Sequence, residues 1–173
     1  FFRGGAYRVR GDHNLIEYGL LLNPRYNGVD IDFLTQGATP SSGFVDVGCN
    51  IGLYALPMAL SAPQGITLAI DANPKMVARL DWHAQASRAT NLRAVHAAVS
   101  DHAGVCDLSI RKDDLAIVAI DESGGGNIPR RTLLDLVQSA GLTSIHGLKI
   151  DIEGHEDKAL VPFLDQAPDV LRP

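Results

Sequence analysis

Cysteine is scarce in this chain: Cys49 and Cys106 are the only two, and neither stands in a CxxC pair or in a Cys/His cluster of zinc-site spacing. That argues against a disulfide framework and fits a reducing, cytoplasmic setting. Long apolar runs are also missing, since Pro, Gly or a charge interrupts each one well before the roughly 20 residues that a membrane-spanning helix requires. No transmembrane helix and no membrane partner are expected. Basic residues are too few and too scattered to form a stripe: 15 Lys and Arg stand against 20 Asp and Glu, for a net charge of −5. A nucleic-acid partner is not suggested. The opening "FFRGGAYRVRGDH" lacks the apolar core and small-residue cleavage site of a secretory signal. There is no internal repeat, and no low-complexity tract beyond Gly124, Gly125 and Gly126.

What is present is enough for one core. A chain of 173 residues with 46% hydrophobic content supports a single domain. Residues 1–40 carry weak signals, with "DHNLIEYGLLLN" and "VDIDFLTQG" as short elements that cap a sheet. From Gly43 onward, short apolar runs alternate with longer helical segments, which is the pattern of a parallel sheet covered by helices. "GFVDVG", "GITLAID", "LRAVHAAVS" and "HGLKIDIEG" read as main strands, and "GVCDLSI" as a short extra one. "GLYALPMALSA", "PKMVARLDWHAQASRA", "RRTLLDLVQSAG" and "HEDKALVPFLDQA" read as helices, with Pro57 near a helix start, where a missing N–H costs least. "IDESGGGNIP" reads as a mobile loop.

The stretch "FVDVGCNIGLYAL", residues 44–56, is a strand-to-helix turn built on Asp46, Gly48 and Gly52. A dinucleotide site would show G-x-G-x-x-G, which sets a pyrophosphate on the helix N-terminus. Here the pattern is D-x-G-x-x-x-G, with a negative charge where the pyrophosphate would lie. This disfavours an NAD-type dehydrogenase and points to a ligand that is cationic at this end, such as S-adenosylmethionine. Asp46 would attract its amino-acid portion directly or through water, and the two glycines would let backbone pass close beside it. The second strand ends at Asp71, 25 residues later, where a carboxylate can accept both ribose hydroxyl protons.

These residues resemble the class I S-adenosylmethionine-dependent methyltransferases, and more narrowly the FkbM family. The resemblance runs from about Gly43 to Pro173 and rests on "FVDVGCNIGLYAL", "AIDANPKMVARL", "HAAVSD", "RRTLLDLV" and above all "LKIDIEGHEDKAL". It implies a Rossmann-like three-layer α/β/α fold over residues 41–173 and methyl transfer to an oxygen of a sugar, polyketide or similar small molecule. The chain departs from the family pattern in having Asp71 in place of Glu and Leu134 in place of an acid. It also ends where the family continues into two more strands, so a sheet of about five main strands is expected.

Several residues carry two readings. Asn50 either hydrogen-bonds the cofactor or caps the following helix. Ala72 and Asn73 lie beside the ribose position, though Asn before Pro is also an ordinary turn opener. Ala98 and Val99 offer an apolar face to adenine, and Asp101 either receives its amino group or is a solvent-exposed turn residue. Cys49 packs as a small apolar residue. In "HGLKIDIEGHE", alternation puts Lys149, Asp151 and Glu153 on one side, where Lys149 pairs with a carboxylate. Asp151, Glu153 and His155 are the candidates for a base that takes the acceptor proton. The same three could hold a divalent metal, although the spacing does not require one. His13, His83, His96, His102 and His146 show no partner pattern. The N-terminal segment and the glycine loop near 124 are candidate sources of substrate contacts and a lid. A non-catalytic cofactor-binding or scaffold domain of the same fold is the rival reading.

Overall fold

The computed structural model describes residues 1–10, 14–23, 25–110, 118–121 and 126–173. Along the chain come α1 (Leu15–Leu22), α2 (Gly28–Thr35), β1 (Phe44–Val47), α3 (Ala55–Ser61), β2 (Thr67–Asp71), α4 (Pro74–Ala86), β3 (Leu92–His96) and β4 (Ala98–Val99). They are followed by β5 (Gly104–Ile110), β6 (Val118–Asp121), β7 (Ile128–Arg131), α5 (Leu133–Ser139), β8 (Gly147–Ile150), α6 (Glu156–Gln166) and a final 3-10 turn at Asp169–Leu171. The central sheet has the order β3-β2-β1-β8 with every pairing parallel. It is an α/β, Rossmann-like sheet.

β1 reads FVDV and is buried throughout, as expected of a strand covered on both faces. Side chains alternate across it. Val45 and Val47 join Leu68 and Ile70 of β2 in the main core under α5 and α6, together with Leu133, Leu136, Val137 and Phe163. On the opposite face, Phe44 packs with Met58 of α3, and Ala69 packs with Leu80 of α4. Three layers result. Asn73 starts α4 by accepting the Lys75 N–H, with Pro74 at the first helical position. Thr132 caps α5 in the same way through the Asp135 N–H.

The structure departs from the sequence-based elements in four places. The run "LRAVHAAVS" is not one strand: it breaks at Ala97, and β4 leaves β2 to pair with β7 in a second sheet of order β4-β7-β5-β6. The central sheet therefore has four strands among the described residues, not five. "IDESGGGNIP" is not wholly loop, because Asp121 ends β6 and Ile128 opens β7, both held by pairing to β5. Residues 122–125, which include most of the glycine tract proposed as a lid, lie outside the described residues. The helix expected from Gly52 begins only at Ala55, because Gly52 adopts φ +87° and residues 51–54 form the turn.

The N-terminal segment packs over α3 and α4. Arg79 of α4 forms a buried ion pair with Glu17 of α1, and its Nη2 also donates to the Arg8 carbonyl at 3.1 Å. Phe2, Ile31 and Leu53 form a small apolar cluster beneath.

Candidate active site

A cavity of about 310 Å³ opens at the carboxyl ends of β1, β2 and β8. Its position follows from the fold, since open α/β sheets leave a crevice where neighbouring crossovers diverge. Val47, Gly48, Cys49 and Asn50 supply one wall, Ile70 to Asn73 a second, Ala97 to Val99 a third, and Lys149 to Glu153 a fourth, except Ile150. Leu15 and Ile16 of α1, with Tyr26 and Asn27, close the side contributed by the N-terminal segment.

Asp46 does not face this cavity. It is fully buried beneath the turn, where one oxygen accepts the Ala55 N–H at 3.0 Å and the other lies 3.2 Å from Lys149 Nζ. The carboxylate anchors α3 to β1 and balances the lysine, so the sequence-based idea that it meets a cationic ligand directly is corrected. Burial pushes its pKa up, against the counter-effect of Lys149. For Lys149, burial works to lower the pKa, yet Asp46 and Asp151 outweigh it and raise it, so the lysine is a fixed cation. Its ammonium also donates to the Gly48 carbonyl at 2.8 Å and lies 3.9 Å from Asp151.

The two glycines serve the protein's own packing. A side chain at Gly48, φ +76°, would run into the Asp151 carbonyl, and one at Gly52 would run into Leu80 of α4. Gly48 also lines the cavity, whereas Gly52 does not. Asn50 stands at φ +48°, a conformation Asn tolerates. Its Oδ1 accepts from the Ile51 N–H and from Asn14 Nδ2, both at 2.8 Å, so its oxygen braces the turn and ties it to the N-terminal segment; it does not cap α3, whose N-cap position is Tyr54.

Asp71 is the carboxylate that reaches the cavity wall from β2. Oδ2 accepts the Asn50 N–H at 2.7 Å and Oδ1 the Asn73 N–H at 2.8 Å, which locks its plane while leaving each oxygen a lone pair. Burial raises its pKa, with the two N–H donors working the other way. Ala72, Asn73 and Ala98 line the cavity. Asn73 spends its side-chain oxygen on the α4 cap. Asp101 does not line it and bonds instead to Ser100 and His102. Cys49 is buried, and its thiol pKa is raised by burial and by Asp71, the signature of an inert group.

At the end of β8, Asp151 and Glu153 both line the cavity, and Asp151 is 68% exposed. Glu153 adopts φ +54° and is followed by Gly154 at φ +93°. Glu156 clamps this bend: its two oxygens accept the Ile152 and Gly154 N–H groups at 2.9 and 3.0 Å, and its pKa is held down first by its own backbone N–H and then by these two donors. His155 occupies the N-cap position of α6 and is not part of the cavity wall, which corrects its place among the candidate bases. Among the described residues no group of three metal-ligating side chains forms. His83, His96, His102 and His146 are each hydrogen-bonded to backbone or to Asp101, and His13 lies outside the described residues.

Tyr54, Asn27 and Met76 were not foreseen. Tyr54 Oη accepts from Asn27 Nδ2 at 2.8 Å and donates to Asp30, and burial with the nearby Asp30 charge pushes its pKa up to about 12. It is therefore a neutral hydrogen-bonding group at the cavity rim. Met76 and Tyr54 fall inside the motifs "AIDANPKMVARL" and "FVDVGCNIGLYAL", and the N-terminal segment is expected to supply contacts, but no pattern singles out these individual residues. The sum of the ionisable lining is negative, with Asp71, Asp151 and Glu153 against Lys149.

Comparison with known proteins places the chain. The model for the Methyltransferase FkbM domain matches residues 46–172, more than half of the sequence. No curated protein matches. Among solved structures, a match is found to "putative transferase PH0793" of Pyrococcus horikoshii, at 21% identity and a TM-score of 0.36. The match covers 40% of this chain and 27% of that one, and a likeness of this size says nothing of chemistry.

Proposed function

Since the chain belongs to the FkbM methyltransferase family, we propose that it is an S-adenosylmethionine-dependent O-methyltransferase acting on a hydroxyl of a small molecule such as a sugar or natural product. The observation that carries this reading is the sign and build of the cavity: three carboxylates against one cation, with Asp71 held rigidly in its wall. A sulfonium with an ammonium suits such a lining, and a diphosphate does not.

S-adenosylmethionine, when bound, supplies a methyl group on a sulfonium, an excellent leaving group. The chain's own task is then mostly alignment. Asp71 accepts the ribose hydroxyls with its remaining lone pairs, while Ala98, Val99 and Met76 offer apolar surface to the adenine. Asp151 or Glu153 takes the acceptor proton as its oxygen attacks. Lys149 holds the strand end in register by bridging Asp46, the Gly48 carbonyl and Asp151.

Calorimetric titration with S-adenosylmethionine, S-adenosylhomocysteine and NAD, followed by transfer assays on sugar hydroxyls, tests this. Binding of the first two without NAD is expected. Asp71→Ala should weaken S-adenosylmethionine at least about tenfold, the worth of a charge-assisted hydrogen bond, with an unchanged circular dichroism spectrum. Binding without any transfer would favour the scaffold reading, and NAD binding alone would overturn both.

A further inference from the structure

We propose that a second groove, formed between the N-terminal segment and α4, binds a phosphorylated small molecule. It encloses about 470 Å³ and adjoins the cavity described above, Met76 forming a wall of both. Two short patterns build it. Arg8 and Arg10, at alternate positions of one segment, face Lys75, Arg79 and Trp82, which recur at the four- and three-residue spacing of one helix face.

The backbone beneath the arginines is fixed. The Arg8 N–H donates to His83 Nε2 at 3.1 Å, and the Arg10 N–H donates to Glu17 Oε2 at 3.0 Å. The Arg8 guanidinium rests over the Trp82 ring, 4.4 Å from its centroid. Arg79 is neutralised by Glu17, but among the described residues no carboxylate pairs with Arg8, Arg10 or Lys75, and none lines the groove. Three cations without a carboxylate partner among the described residues, on a chain whose net charge is −5, mark a site for a multiply charged anion. Guanidinium forks beside an ammonium fit the oxygens of a phosphate better than a single carboxylate.

Trp82 is the only tryptophan, so its fluorescence reports on this groove alone. The full chain titrated with inorganic pyrophosphate at constant ionic strength should give a saturable change. Lys75→Gln and Arg10→Gln, exposed side chains whose loss leaves the backbone bonds intact, should each weaken it about tenfold. Arg172→Gln, outside the groove, should leave it unchanged. The proposal is overturned by no saturable response, by citrate binding as tightly as pyrophosphate, by chloride reproducing the change, or by full affinity in both groove variants. Calorimetry with S-adenosylmethionine on the same samples reads the neighbouring cavity independently.

Discussion

Asp46 and Lys149 are register partners on adjacent strands; Asp46 is fully buried beneath the turn, and Lys149 is mostly buried, with its side chain 14% exposed at the cavity wall. Removing one charge leaves the other stranded in a low-dielectric site, so Asp46→Asn is expected to cost about 3–5 kcal/mol in urea unfolding. Asp46→Asn combined with Lys149→Met should recover much of that loss, because the unpaired charge is gone. Glu153 is different, being an exposed residue held at φ +54° on the cavity rim. Glycine adopts that conformation without the Cβ penalty, so Glu153→Gly should be neutral or stabilise by up to about 1 kcal/mol. If Glu153 serves the acceptor, the same change lowers methyl transfer, and the pairing of a stable fold with a slower enzyme is the measurement that separates the two roles.

At the scale of elements, the end of β1 and the end of β8 touch so closely that Gly48 has no room for a side chain. Gly48→Ala should therefore destabilise by about 3 kcal/mol, through backbone strain plus a collision with β8. Gly37, at φ +72° with open space around it, provides the contrast: Gly37→Ala should cost only about 1 kcal/mol. The Glu156 clamp belongs to the same region. Its folded pKa is lowered, so it contributes stability above its unfolded value of about 4.5, and that contribution fades as pH falls through the folded value.

Across the whole molecule, the N-terminal segment is tied to α4 by buried polar groups. His83 is neutral in the fold, its Nδ1–H donating to the Ile51 carbonyl at 2.9 Å and its Nε2 accepting from the Arg8 N–H. Burial lowers its pKa. Between that lowered value and about 6.5 the unfolded chain binds a proton that the folded chain does not, so stability rises with pH through this window and is lost on acidification. The slope of stability against pH just below about 6.5 should flatten in His83→Gln, whose amide can still donate and accept.

The alternation of apolar runs and helical segments was enough to place β1, β2 and β8, because strands buried on both faces must be apolar and helices must be capped. "LAID" likewise located Asp71, since a carboxylate at a strand end lies at the crevice of any such sheet. The family was legible from "LKIDIEGHEDKAL" and its companions. What the linear order could not convey was which way a side chain turned once strands paired. Asp46 looked like a ligand contact and became an internal counter-ion, because the pairing partner that neutralises it lies 103 positions away at Lys149. The N-terminal segment was expected to supply contacts, but the particular contributions of Leu15, Asn27 and Arg8 were hidden, for they depend on a long-range docking onto α3 and α4 that no local pattern encodes. Sequence determined the main parallel strands and the family, and tertiary packing decided where strands broke and which charges meet solvent, because burial and pairing are properties of neighbours in space.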